Sequence, residues 1–357
     1  MCCREPSCLL RQRGAALITA LLVFAISSAL MVGLQRDFTL TMQRGTHHLF
    51  SEQAWAYLMG AEALAMLALR ADSKIDARAD IPSDSLKELW AQSSTPYPLD
   101  AGGWLSGEIE DLQGRFNLNM LAVTMNQLEE GKGERSGEIG SRKRSANTGS
   151  PWTDTQKMFI RLLQALYKDS LSLDEALSLT EAIIDFIDSD SDRRSEGAEE
   201  GDYQYTAFPY LPANRALASV SELRAVQGMT AELYEALAPF VTVWPQENAR
   251  LNILTAPFPV IRSLNGVNQL EPMAIIEAER LVNLRERGAI STVDDFLSDP
   301  AFEGKNLGDL NKLLVVRSSW FLLKTKVQLL ERERGLLTVL NRTDGNSIPI
   351  FRSEGEL

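Results

Sequence analysis

Arg11-Gln12-Arg13-Gly14-Ala15-Ala16-Leu17-Ile18-Thr19-Ala20-Leu21-Leu22 opens the stretch that decides the fold, and the apolar run it begins reaches Leu34 without a charged residue. A helix of about 20 residues, 15 to 34, rises about 30 Å, the thickness of a bilayer's hydrocarbon core. The basic flank of Arg11 and Arg13 predicts that the N-terminal side stays cytoplasmic and that the rest of the chain faces the opposite compartment. An ordinary secretory signal has a shorter apolar core with its small-residue cleavage site behind it. Here the glycine, Gly14, stands in front of the apolar run. An uncleaved signal anchor is the alternative reading of this segment.

The helical pattern does not stop at Leu34. Apolar residues continue through Phe50, Trp55, Leu58, Leu64, Met66 and Leu69, with Gly45 and Gly60 as tolerable interruptions. A helix from 15 to about 71 would be roughly 85 Å long. Its first half suits lipid, and its second half is amphipathic enough to lie on a sheet.

The chain has 357 residues, enough for an anchor and a sizeable folded part, and 45% hydrophobic with 24% charged residues describes a globular chain. The net charge of -12 argues against nucleic-acid binding by bulk electrostatics. All three cysteines, Cys2, Cys3 and Cys8, precede the apolar run, so no disulfide framework can brace the folded part. His47 and His48 are the only histidines, and no nucleophile-base arrangement or phosphate-binding glycine loop is recognisable, so no enzyme is expected.

Further along, Ser106 to Glu110 and Arg115 to Asn119 predict two strands around a turn at Gly114. Residues 128–150 are rich in Gly, Ser, Glu, Lys and Arg and read as a loop. From 152 to 244 the pattern is helical, with Ser172 and Glu175 placed as a capping box. Residues 250–256 predict a strand that returns to the main sheet, and a second helical unit follows to Phe296. The two helical units look like a weak internal repeat. Trp320 to Leu330 and Leu336 to Arg342, framing Glu331 to Gly335, read as a closing hairpin, with the remaining residues a tail.

The sharpest chemical feature is the run Asp185-Phe186-Ile187-Asp188-Ser189-Asp190-Ser191-Asp192, followed by Glu196, Glu199, Glu200 and Asp202. Carboxylates this close repel unless water or a cation screens them, and calcium takes six to eight oxygen ligands. Asp188, Asp190 and Asp192 alternate as in several calcium loops, without the glycine and terminal glutamate of an EF-hand. A solvated helix end is the alternative.

Several of these segments together resemble one family. Arg11-Gln12-Arg13-Gly14 before the apolar run resembles a type IV prepilin leader, which a prepilin peptidase cuts after the glycine. Glu110-Asp111-Leu112-Gln113-Gly114-Arg115-Phe116-Asn117-Leu118-Asn119, the segment 250–257 and Gly197-Ala198-Glu199 with Asp202-Tyr203 resemble the minor pseudopilins of the general secretion pathway protein K family of type II secretion systems. The resemblance implies an α+β, pilin-like fold: a long N-terminal spine helix on a small antiparallel sheet, with a large inserted all-helical domain. It implies a leader of residues 1–14, a cut between Gly14 and Ala15 with methylation of the new N-terminus, and a membrane segment 15–34. Residues 35–127 would hold the periplasmic spine helix and first strands, 151–319 the inserted domain, and 320–357 the hairpin and tail. Thr19, the fifth residue after the cut, stands where most pilins carry a glutamate that pairs with the subunit ahead. A subunit at a filament tip has no such neighbour. The implied partners are the minor pseudopilins I and J, the prepilin peptidase and the inner membrane. The helical domain of this family binds calcium, which would assign Asp188, Asp190, Asp192, Glu199 and Asp202 as ligands.

A rival class remains on the residues themselves. Leu264-Asn265-Gly266-Val267 echoes helix-hairpin-helix modules that bind DNA backbone through glycine-flanked amides, and Arg262, Arg280, Arg285 and Arg287 lie nearby. The acidic charge and the single glycine count against it.

Overall fold

The computed structural model describes residues 15–92, 95–100, 102–122, 151–166, 171–205 and 208–355. The expected leader 1–14 with Gly14, and the expected loop 128–150, lie outside the described residues. The chain divides into two units, 1–57 and 58–357.

In the first unit every described residue belongs to helix α1 (Ala15–Asp76), which has no proline to break it. Its best 18-residue window has a mean hydropathy of 2.4 and no side chain buried within the protein, so α1 is long and apolar enough to cross a membrane. Leu17, Leu21, Phe24, Leu30 and Leu34 are all exposed, as lipid-facing side chains would be. Thr19 hides its hydroxyl against its own helix, donating to Ala16 O at 3.0 Å.

The second unit takes up α1 at Leu58 and continues with β1 (Tyr97–Pro98) and β2 (Gly103–Asp111). Then come β3 (Phe116–Asn117), α2 (Asp154–Leu166), α3 (Leu173–Ile187), α4 (Glu200–Gln204), α5 (Ala231–Leu237) and β4 (Val241–Thr242). A second series follows: β5 (Leu251–Asn252), α6 (Phe258–Ser263), α7 (Ile275–Arg287), α8 (Val293–Leu297), α9 (Leu310–Leu313) and β6 (Leu314–Val315). The chain closes with β7 (Trp320–Leu329), β8 (Arg332–Thr343) and β9 (Asn346–Ser353).

Five strands form an antiparallel sheet in the order β1-β2-β7-β8-β9. One face is covered by α1: Ala65 and Leu69 pack with Trp90, Phe321, Leu323 and Leu340. The helix is locked at Glu62, which accepts from Arg352 Nε at 2.7 Å and Nη2 at 2.8 Å and from Thr338 Oγ1 at 3.2 Å. Alternation along the strands supplies the other face, where Leu112, Leu322 and Val339 meet Trp244 and Trp320. Neighbouring strands β2 and β7 are separated in sequence by residues 112–319, so the helical part is an insertion between two adjacent strands.

Three strand expectations need correction. The segment Arg115 to Asn119 does not pair with β2 across Gly114. β3 runs parallel to β4, and Phe116, Leu118 and Leu121 sink into the helical core beside Met158 and Phe159. The segment at 250–256 does not return to the main sheet: β5 pairs in parallel with β6 in a two-stranded sheet of its own. Both segments carry apolar residues on either side of a buried asparagine, and that pattern suits the inside of a helical core better than a half-exposed sheet. The expected tail is strand β9. Its signal was Asp344-Gly345, both at positive φ (52° and 77°), the dipeptide that two-residue hairpin turns favour.

The internal repeat acquires a physical form here. Each helical unit starts at one short strand and ends at another parallel to it, β3 with β4 and β5 with β6. The starting strand of each ends in an asparagine whose Oδ1 accepts from the backbone two residues on: Asn117 from Asn119 N at 2.9 Å, and Asn252 from Leu254 N at 2.9 Å. The side-chain amides reach across, Asn117 Nδ2 to Pro245 O at 2.6 Å and Asn252 Nδ2 to Asp84 O at 3.0 Å.

Candidate functional site

Helix α3 begins at the expected capping box, with Ser172 Oγ accepting from Glu175 N and the Glu175 carboxylate accepting from Ser172 N. It ends at Asp188, whose N–H still reaches Ile184 O at 2.8 Å. The chain then doubles back, so that Glu199 returns to the end of α3. Tyr203 holds α4 there. Its ring lies edge-on to Phe186 at 5.7 Å and against Tyr210 at 5.2 Å, and its hydroxyl accepts from Gln227 N at 3.3 Å.

This return brings carboxylate oxygens of Asp188, Asp190 and Glu199 within 4.8 Å of one another. Asp185, one turn earlier on α3, is fully buried beside them. Burial, then the charges of Asp190 and Asp185, pushes the Asp188 carboxyl up to about 7. Burial raises Asp185 and Glu199 as well, with neighbouring carboxylates adding to it. Asp188 Oδ1 and both carboxylate oxygens of Glu199 are buried and accept no hydrogen bond within the chain. Unpaired buried carboxylate oxygens are costly unless a proton or a cation answers them. Three convergent hard oxygen donors suit a calcium-like ion, which would complete its shell with backbone carbonyls and water.

The backbone makes room for this arrangement at one residue. A Cβ at Gly197 would lie 1.9 Å from Asp185 Oδ2, so only glycine lets the returning chain pass the buried carboxylate.

Of the five ligands expected from sequence, the structure brings together Asp188, Asp190 and Glu199, and leaves Asp192 and Asp202 outside the cluster. The Asp192 N–H donates to Asp190 Oδ1 at 2.9 Å, which shapes the turn. Asp202 accepts from Glu199 N at 3.1 Å and pairs with Arg193 at 3.3 Å, so it orients Glu199. Asp185, which opens the acidic run and is not among the expected ligands, lies buried next to the three. The signal for that neighbourhood is the three-residue spacing, which puts Asp185 about one turn before Asp188 at the end of α3.

A second acidic group, Asp72, Asp84 and Glu88, is equally close-set but already answered. Arg342 donates to both Asp84 and Asp72, and Glu88 accepts from Trp90 Nε1 at 2.6 Å and Ser85 N at 2.9 Å. This group joins α1 to β8 through the Arg342 guanidinium.

The hairpin-like turn at 264–267 is turned inward. Gly266 N donates to Asn265 Oδ1 and Val267 N to Asn306 O. Arg161, buried in α2, donates to the carbonyls of Ser263, Gly266 and Gln269. Arg262 and Arg285 also donate to internal carbonyls, and Arg280 pairs with Asp299. The amides that would hold a phosphate are therefore committed within the fold.

Two family models match the chain, both described as type II secretion system protein K, over residues 114–246 and 251–317. A type II secretion system protein K from Pseudomonas aeruginosa is 33% identical over 348 residues, covering 97% of this chain and 93% of the relative. The chain belongs to the type II secretion system protein K family. Protein K from Aeromonas hydrophila is 30% identical, with 97% of this chain and 98% of the relative covered. Among solved structures, a chain in the crystal structure of the GspK-GspI-GspJ complex from enterotoxigenic Escherichia coli matches with a TM-score of 0.66 at 25% identity, covering 88% of this chain and all of that one. The fold is the pilin-like fold of this family. The boundary between the two family models, at 246 to 251, falls between β4 and β5. The two models thus coincide with the two strand-bounded helical units of the insertion.

Proposed function

We propose that this protein is a minor pseudopilin that joins the minor pseudopilins I and J in the tip complex that initiates or caps a type II secretion pseudopilus, for protein export across the outer membrane. The observation that carries the reading is the likeness, through 88% of the chain, to a protein solved in complex with GspI and GspJ. Prepilin peptidase cuts between Gly14 and Ala15, and the apolar part of α1 holds the product in the inner membrane with the bulk of the chain in the periplasm. The role is architectural, with no catalysis. Thr19 supports a terminal position in the filament. It offers a hydroxyl where a shaft subunit needs a carboxylate for the subunit ahead, and that hydroxyl is turned onto Ala16 O. A helical insertion of some 200 residues between β2 and β7 is too bulky for a packed shaft and suits an end.

Asp188, Asp190 and Glu199, with Asp185 beneath them, hold a calcium ion. The ion neutralises the buried carboxylates and fastens the end of α3 to the start of α4.

The first experiment is the N-terminal mass of the membrane-extracted protein, with and without the peptidase. A cut after Gly14 that needs the peptidase, together with co-purification of I and J, is the expected result. An intact N-terminus in both strains would leave a plain signal anchor. Crosslinks that place the protein along the shaft would overturn the tip position. Isothermal titration without calcium binding would remove the ion.

A further inference from the structure

We propose that Arg194 is the built-in counter-ion of the acidic loop and that it sets the loop's affinity for a divalent cation by competing with it. The inference rests on the calcium reading above and goes beyond it, because it concerns how tightly this chain binds and what holds the loop together without an ion.

Between Asp188 and Glu199 the chain carries two cations, Arg193 and Arg194, and the structure gives them different tasks. Arg193 points along the loop's outside, donating from Nε to Gly197 O at 2.8 Å and approaching Asp202 Oδ1 at 3.3 Å. Arg194 turns inward. Its Nε lies 3.4 Å from Asp185 Oδ1, on a carboxylate with no exposure, and its backbone N–H donates to Asp185 Oδ2 at 3.0 Å. Its charge also reaches Asp188. One guanidinium thus stands beside four acids: it contacts Asp185 and acts on Asp188, and Asp188 shares a close-set group with Asp190 and Glu199, of which Glu199 is buried with both oxygens unpaired.

A single positive charge cannot neutralise four carboxylates, so the group retains an appetite for a cation. The same positive charge, held on the carboxylate next to that group, repels a divalent ion there more strongly than it would a proton. Arg194 therefore does two opposed things. It keeps the loop folded back on α3 in the absence of ion, and it weakens the ion when it comes. The backbone contact to Asp185 is independent of the side chain, so a neutral residue at this position retains the loop's path.

The test is calcium titration by calorimetry on the detergent-solubilised full chain, with melting curves in chelator, for the parent, Arg194→Gln and Arg194→Lys. Removal of the charge should tighten calcium binding about tenfold, the size of effect that one unscreened charge near a partly buried ion produces, and should lower the ion-free melting temperature. Arg194→Lys should stay within about threefold of the parent, since it retains the charge. Unchanged or weaker binding in Arg194→Gln, with the parent binding normally, overturns the counter-ion role and leaves the calcium site standing. Tighter binding in both variants overturns it too, since the cause would then be shape and not charge. No heat of binding in any of the three, while all fold by circular dichroism, is the failure of the calcium reading and takes this inference with it.

Discussion

The side-chain amide of Asn252 donates to Asp111 Oδ2 at 3.0 Å, joining the strand that opens the second helical unit to the last residue of β2. The same nitrogen reaches Asp84 O and Ser318 Oγ, and Asp111 also accepts from Thr255 Oγ1 and Ser318 Oγ. One buried hub therefore fixes the insertion at the point where it leaves the sheet and where it returns. Asn252→Ala should leave several of these groups unanswered and cost at least ~2 kcal/mol, the scale of leaving buried polar groups unpaired. Chemical denaturation of the soluble part against the parent measures it. A change below about 0.5 kcal/mol would mean that water replaces the amide without loss.

Arg161 is a buried cation of α2, and burial lowers its guanidinium to about 10 while three carbonyls accept hydrogen bonds from it. Arg161→Met frees the carbonyls of Ser263, Gly266 and Gln269 and should destabilise by about 3 kcal/mol, with faster amide exchange concentrated at 263–270. Exchange that rises evenly over the whole insertion would show that the contact is not local.

Arg342 lies between Asp84 and Asp72, and Asp84 has no exposure. Arg342→Met would leave the Asp84 and Asp72 carboxylates without their cation, at a cost of about 3–5 kcal/mol. Adding Asp84→Asn to that variant should recover part of the loss, which separates charge from packing in a thermal melt.

Gly197→Ala places a methyl 1.9 Å from Asp185 Oδ2. The chain must shift, which moves Glu199 away from Asp188. Calcium affinity should drop at least tenfold while the far-ultraviolet circular dichroism is retained. Gly201, whose Cβ would meet nothing within 4 Å, is the control, and Gly201→Ala should bind as the parent does.

The ion-free protein should gain stability on acidification. Asp188 and Glu88 are pushed up to about 7, and Asp76 and Asp111 to about 6, each with burial as the main cause. A carboxyl raised in the folded state binds its proton more tightly there than in the unfolded chain. Its contribution is complete below the unfolded value near 4 and disappears as pH rises through 6 to 7. The melting temperature in chelator should therefore climb from pH 8 to pH 5. Asp188→Asn should flatten the slope, and calcium should flatten it in the parent. A melting temperature that falls over this range contradicts the assignment.

Much of this molecule was legible beforehand. The apolar run from Ala15 to Leu34 and the continuing pattern to Leu69 specify a helix by local chemistry, and α1 follows it to Asp76. The capping box at Ser172 and Glu175 is equally local. The motif around Gln113 to Asn119 identified the family but misled about structure. Asn117 and Asn119 look like strand or turn residues, yet both are buried clamps, with Asn119 bonded to Leu217 and Val243. Their partners lie about a hundred residues away, beyond the reach of any local pattern. Strand β9 was missed although Asp344-Gly345 announced it.

By itself the sequence determined the membrane-length helix, the family and the acidic character of the loop, because each depends on neighbours within a few residues: helical rise, a motif, like charges side by side. Which acids meet was decided only in three dimensions. The return of the chain past Gly197 brings Glu199 to Asp188 and Asp190, sends Asp202 to Arg193, and sets Asp185 beneath them with Arg194. Charge interacts through space and falls with distance, so spacing along the chain counted the carboxylates and only the fold could choose among them.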